Sequence, residues 1–179
     1  FAGHGAPESD ANSEASDGIT PYLLPYGADP GNLYATAIPM YEVALLFNRI
    51  QAERLVFISD ACFSGASGGR TILSAGMRAG NLSDDFLDRL ARGRGRIILT
   101  SSSANEVSQE SDEFGHGVFT YYLLKGLKGE ADVNNDKLIS TDEIYFYLNK
   151  HVHQSTKGAQ TPVKKGEIEG EVIIGRTLN

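Results

Sequence analysis

The sequence contains almost no cysteine: one residue, Cys62, in 179. A single cysteine cannot form a disulfide within the chain, so nothing calls for an oxidising compartment, and we expect a cytoplasmic location. Reactivity, more than packing, decides whether a lone cysteine is kept. Cys62 is therefore a candidate nucleophile. A redox-sensing thiol is the alternative, but this chain offers no second cysteine to resolve an oxidised one.

Basic residues and long apolar runs are also scarce. The chain has 16 Lys and Arg against 23 Asp and Glu, a formal charge of −7. Nucleic acids and anionic membranes bind clustered basic residues, so we expect neither as a partner, whereas cationic substrates suit an acidic protein. No run approaches the ~18 apolar residues of a membrane span, and the N-terminus shows no signal peptide. A hydrophobic content of 41% predicts one compact domain.

Strand and helix patterns alternate along the chain. Compact apolar runs predict buried strands at 54–59, 97–101 and 171–175, and residues 1–5 resemble the end of another strand. Helical spacing predicts helices at 39–51, 84–90, 118–127 and 142–151, while the small polar residues of 6–20 predict a surface loop. This alternation predicts an α/β layered fold with a largely parallel sheet.

His4 and Cys62 are the residues most suited to catalysis. A cysteine needs a neighbour that takes its proton and returns it to a leaving amine, and histidine can do both near neutral pH. His4 lies in FAGHG and Cys62 in DACFSG, each at a predicted strand end beside glycine. Ligands collect outside the carboxyl ends of parallel strands. We therefore predict a Cys–His dyad, with the amides of Gly5 and Cys62 as oxyanion donors.

Five segments in order, FAGHG with Asp17-Gly18, LLPYGAD, DACFSG, RIILTSSSANEVSQES and GVFTYYLLKGL, resemble the caspase-like cysteine peptidases, especially bacterial orthocaspases and metacaspases. The resemblance covers nearly the whole chain. It implies a three-layer α/β sandwich with a mostly parallel central sheet, His4 as general base and acid, Cys62 as nucleophile and Gly5 as an oxyanion-hole donor. It divides the chain into a p20-like part (1–65), a linker (66–95) and a p10-like part (96–179).

Two features depart from the family pattern. Phe63 stands where many metacaspases carry histidine, which we interpret as a packing difference. The family domain also begins with strands and a helix before the FAGHG strand, and this chain has no counterpart of them. We therefore expect a second chain or an upstream segment to complete the fold.

Asp60 predicts the substrate class. It lies two residues before Cys62, so on a strand it shares the face of Cys62. A carboxylate there would select Arg or Lys before the scissile bond by a charge-assisted, even bidentate, contact, as in metacaspases with this aspartate. Capping of the following turn is the alternative role. Ser101, Ser102 and Ser103 follow the next strand and are candidate substrate-binding residues. The arginines of 64–96 suggest self-cleavage.

A second motif raises the question of calcium. Residues 132–143 resemble an EF-hand loop, with Asp132, Asn134, Asp136 and Glu143 at ligand positions. Lys137 occupies the sixth position, where the motif requires glycine. We therefore expect a vestigial turn that caps the next helix, keep calcium as an alternative, and require no cofactor for the proposed chemistry. Asp84 and Asp85 are further calcium candidates.

Three other histidines compete with His4. His116 is interpreted as a loop residue, and His151 and His153, after a predicted helix end, as surface residues. The predicted function is a cysteine endopeptidase that cleaves after Arg or Lys. The alternative is an inactive caspase-like module that binds peptides or signalling partners.

Overall fold

The structure is a computed structural model that describes residues 1–9, 18–62, 66–67, 70–71, 84–93, 95–103, 106, 110–111 and 116–177. The strands are Ala2–Ser9 (β1), Ile19–Leu24 (β2), Ile38–Pro39 (β3), Leu55–Cys62 (β4), Ala66–Ser67 (β5), Arg70–Thr71 (β6), Arg96–Thr100 (β7), Glu110–Ser111 (β8), His116–Gly117 (β9), Leu138–Ser140 (β10), Val163–Lys165 (β11) and Ile173–Arg176 (β12). The helices are Leu33–Thr36 (α1), Met40–Arg49 (α2), Asp84–Leu90 (α3), Val118–Lys125 (α4) and Thr141–Ser155 (α5), and α4 continues into a π-helical turn at Gly126–Glu130.

The central sheet has six strands in the order β11-β7-β4-β1-β2-β3. Its middle strands β7, β4 and β1 run parallel, and antiparallel partners flank them on both sides. The predicted α/β fold with its largely parallel central sheet is thus confirmed. The parallel strands are joined through helices, as parallel pairing requires.

Among the described residues, the two larger hydrophobic cores lie on opposite faces of the sheet and make the sandwich three-layered. Along β4 the side chains alternate: Val56 and Ile58 pack with α4 and α5, whereas Leu55 and Phe57 pack with α2 and α3. The period of two expected of a strand buried on both sides accounts for this division. The part of the predicted linker that forms α3 belongs to the second core through Leu87 and Leu90.

The predicted helices are confirmed with shifted ends. Helix α2 begins after Pro39 and buries Met40, Val43 and Phe47, but Ile50 lies beyond its last residue and is exposed. Helix α5 begins at a capping box in which the Ser140 side chain accepts from the backbone of Glu143 while the Glu143 side chain accepts from that of Ser140. It extends to Ser155, four residues past the predicted end.

The predicted loop at 6–20 is wrong at both of its ends. Strand β1 continues from the glycines to Ser9, and β2 begins at Ile19, so that the two form an antiparallel hairpin in which Ala6 pairs with Tyr22. Residues 10–17 lie outside the described residues. The last predicted strand, observed at Ile173–Arg176, is not part of the central sheet and pairs with β10.

Gly95 shows how closely the chain packs at the start of β4 and β7. Its φ is +78°, and a Cβ at this position would lie 1.8 Å from the Glu53 carbonyl oxygen. The Gly95 carbonyl accepts a 2.8 Å hydrogen bond from the Leu55 amide. Only glycine fits this turn, which sets the register between the two parallel strands.

The described helices include none with both the length and the apolar character needed to cross a membrane.

Candidate active site

The candidate site lies where the three parallel strands bring their polar residues together. Cys62 is the last residue of β4, whereas the sequence predicts a strand at 54–59 with Cys62 just past its end. The pairing of Ser59 with Thr100 places Ser101–Ser103 at the same end of the neighbouring strand β7. His4 comes from the other neighbour, β1. Residues far apart in sequence therefore meet at one edge of the parallel region.

His4 and Cys62 occupy paired positions on adjacent parallel strands. Such strands lie about 4.8 Å apart, and paired positions share a face of the sheet. The His4 side chain is exposed, which suits a group that must reach substrate. The Cys62 side chain lies outside the described part of the chain. Pairing with β4 ends at His4, so Gly5 lies one residue beyond the last paired position and is buried.

Asp60 joins the strand of Cys62 to the start of helix α4. Its Oδ2 accepts hydrogen bonds from the Thr120 amide at 3.1 Å and the Thr120 hydroxyl at 2.5 Å. Thr120 is the third residue of α4, where the amides have no partner within the helix and where negative charge is stabilised. Asp60 therefore caps helix α4 from a strand that is distant in sequence. The capping role considered from the sequence concerned the turn that follows Asp60, not this helix.

Gly117 is required for this contact. A Cβ at residue 117 would lie 2.7 Å from Asp60 Oδ2, closer than carbon and oxygen can approach. Gly117 immediately precedes α4 in the short strand β9. The glycine of the GHG segment thus has a packing role against Asp60. The paired strand position of His116 corrects its interpretation as a loop residue.

The three candidate serines are held by backbone contacts. Ser101 is 1% exposed, its amide donates to the Ser59 carbonyl at 3.0 Å, and its carbonyl accepts from Gln160 Nε2 at 2.9 Å. Ser102 and Ser103 are half-buried. Substrate binding by all three serines stays a prediction.

Glu106 fastens this segment to the loop after α5. Its Oε2 accepts from the amides of Thr161 at 2.7 Å and Ser103 at 3.3 Å, and its Oε1 accepts from the Thr161 hydroxyl at 3.0 Å. Burial opposes the charged form of Glu106, but these hydrogen bonds outweigh it and hold the pKa of the carboxyl below its usual value. Glu106 and Gln160 were not singled out from sequence, because their partners lie about 55 residues away.

We expect Glu106→Gln to lower the free energy of unfolding at pH 7 by about 1.5 kcal/mol, the lower end for hydrogen bonds to a charged group. Because the pKa of Glu106 is lowered by folding, its contribution is complete above the unfolded-state value of about 4.3 and is lost as pH falls through the folded-state pKa. Urea unfolding of both proteins between pH 7 and pH 3 measures this. The difference should shrink in acid, whereas the exposed control Glu169→Gln should show none; a difference that stays constant with pH would contradict the assignment.

The two histidines of α5 differ from each other. His153 is exposed, as predicted. His151 is partly buried and packs against Tyr147 at 4.4 Å and Tyr122 at 5.3 Å between ring centroids, so its interpretation as a surface residue is wrong. Burial lowers the pKa of His151. Both lie in the last turns of α5, not beyond the helix end.

The EF-hand-like loop is arranged by its own hydrogen bonds. Asp132 accepts from the amides of Asp136 and Lys137, and Asn134 and Asp136 accept from amides two residues on. Lys137 adopts a positive φ of 67° at the position of the motif glycine. Glu143 Oε2 serves the capping box of α5.

Among the described residues no three His, Cys, Asp or Glu side chains are grouped to hold a metal ion. Only Glu143 of the candidate ligands contributes to the cap of α5, whereas Asp132, Asn134 and Asp136 accept from amides within the loop. Calcium binding there stays untested. The side chains of Asp84 and Asp85 lie outside the described part.

The central sheet has three parallel strands with helices on both faces, and a histidine of one strand pairs in register with a cysteine of the next. These features are those of a domain of the caspase-like class. The caspase domain family model matches residues 1–171. The chain therefore belongs to the caspase domain family, whose members are generally cysteine peptidases. The narrower resemblance to bacterial orthocaspases and metacaspases stays a prediction.

Among solved structures, the chain is similar to the protein GSU0716 from Geobacter sulfurreducens, with a TM-score of 0.52 and 18% sequence identity. The match covers 93% of this chain and 64% of GSU0716, so the chain spans less than two thirds of that protein's length. At this identity the similarity concerns the fold alone. The curated proteins contain no match.

Proposed function

We propose that this protein is a cysteine endopeptidase that cleaves peptide bonds after Arg or Lys. The observation that carries the proposal is the register of His4 with Cys62 on adjacent parallel strands of a caspase-family domain. At that strand spacing an imidazole and a thiol on the same face of a sheet could exchange a proton.

In the proposed reaction His4 accepts the proton of the Cys62 thiol, and the thiolate sulfur attacks the carbonyl carbon of the scissile bond. The amides of Gly5 and Cys62 would donate to the oxygen that becomes negative. His4 then gives its proton to the departing amine, and the C–N bond breaks to leave a thioester. Water attacks the thioester carbonyl while His4 accepts its proton, and the C–S bond breaks with return of that proton to the Cys62 sulfur.

Asp60 gives the proposed substrate preference its physical basis. It precedes Cys62 by two residues on β4 and shares its face of the sheet. The Asp60 carboxylate is partly buried and is held by Thr120, and in the proposed complex it would present a negative charge close to the reacting bond. A cationic side chain before the scissile bond would be attracted there, whereas an acidic one would be repelled.

A panel of fluorogenic peptides that differ only in the residue before the cleaved bond tests this function. We expect turnover with Arg and Lys and none with Asp. Absence of turnover with every peptide, with and without added calcium, would overturn the proposal in favour of a caspase-like binding module. Cleavage of the Asp peptide alone would overturn the assigned substrate class.

A further inference from the structure

Thr120 contacts one of the two carboxylate oxygens of Asp60 and not the other. Both of its donors, the amide at 3.1 Å and the hydroxyl at 2.5 Å, bind the same oxygen, Oδ2. The backbone of Gly117 lies close to the same oxygen: a Cβ at this position would be 2.7 Å from Oδ2 but 3.6 Å from Oδ1. The two carboxylate oxygens of Asp60 are therefore not equivalent.

The inequality has a chemical consequence. An ionised carboxylate oxygen accepts about two hydrogen bonds. Thr120 supplies two to Oδ2, so within the described part of the chain Oδ1 is the oxygen left to accept from a ligand. The fork of an arginine guanidinium makes its strongest contact with both oxygens at once, whereas a lysine ammonium needs only a point of negative charge.

We propose that Thr120 is a specificity-positioning residue: by saturating Oδ2 it makes Asp60 a one-oxygen acceptor, so that substrate Lys and Arg are bound by a single contact and Arg gains no bidentate advantage. This inference rests on the proposed function. It replaces the bidentate contact considered from sequence, and it predicts similar kcat/KM values for Arg and Lys substrates.

The Arg/Lys ratio of kcat/KM, measured on two peptides that differ only in that residue, tests the inference. Thr120→Ala removes the hydroxyl donor without adding an atom and keeps the amide, so Oδ2 regains one acceptor site. We expect the ratio to rise about tenfold, the factor that one charge-assisted hydrogen bond supplies. Thr120→Ser keeps the donor and should keep the ratio of the unmodified protein.

The ratio is insensitive to the fraction of folded protein, because both peptides are measured on the same sample. A purely structural Thr120 would lower both values by the same factor, and an unchanged ratio in Thr120→Ala would overturn the inference while the proposed function stands. If the unmodified protein cleaves neither peptide, the function itself fails, and the inference with it. Should the alanine variant not fold, the unmodified protein decides: similar kcat/KM values for the Arg and Lys peptides support the inference, and a preference for Arg of about tenfold or more overturns it.

Discussion

Replacing Cys62 with alanine is expected to reduce peptide hydrolysis by at least about a thousandfold, the scale on which loss of a nucleophile acts in enzymes that form acyl intermediates. No other cysteine in the chain can take its place. Initial rates on the Arg and Lys peptides measure the effect. The same variant tests self-processing: the unmodified protein should be cut after arginine between residues 64 and 96, and the alanine variant should stay intact.

The controls separate chemistry from folding. Thermal unfolding should be similar for Cys62→Ala and the unmodified protein. His4→Ala should lose activity to a comparable extent, because the two residues act as a unit, whereas His153→Ala, at an exposed position of α5, should not. Full activity of Cys62→Ala would exclude the thiolate mechanism, and equal cutting of both proteins would exclude self-processing.

The elements that sequence predicts well are those with strong local patterns. Helix α2 shows its buried residues at helical spacing, and β4 and β7 are short apolar runs bounded by turns. The hairpin of β1 and β2 was missed because Ala6, Pro7 and Ser9 are small or poor strand formers. Pairing with the neighbouring strand holds them in extended form, and that pairing is not encoded locally.

The candidate site divides in the same way. His4, Cys62 and Asp60 are visible in sequence because each stands in a short motif with glycine or at a strand end. Thr120 and Glu106 are not, because their importance comes from partners 60 and 55 residues away. Gly117 could have been noticed in the sequence, because a glycine directly before an apolar helix indicates a position where a side chain does not fit. The reason, the approach of Asp60, needs the tertiary structure.

Neutralising Asp60 gives the second large effect that we expect. Asp60→Asn preserves shape and keeps an oxygen that can accept from Thr120, but it removes the negative charge. Loss of one member of a partly desolvated charge pair costs about 2–3 kcal/mol at the low end of measured cases, which corresponds to about a hundredfold in kcat/KM. We therefore expect that loss for the Arg and Lys peptides and little change for a peptide with a neutral residue at the same position.

The comparison between charged and neutral peptides decides between the two roles of Asp60. If the carboxylate only caps α4, its neutralisation lowers the free energy of unfolding. It then lowers kcat/KM by the same factor for every peptide, because the stability of the helix start does not depend on the charge of the substrate. If it also binds the substrate cation, the loss is selective. Asp88→Asn, a change at an exposed acid of α3 that pairs with Lys165 at 3.1 Å, controls for the overall charge of the protein. Because Asp60→Asn and Asp88→Asn carry the same net charge, only the position of the lost carboxylate distinguishes them, and a hundredfold selective effect at residue 60 alone assigns the charge to substrate recognition.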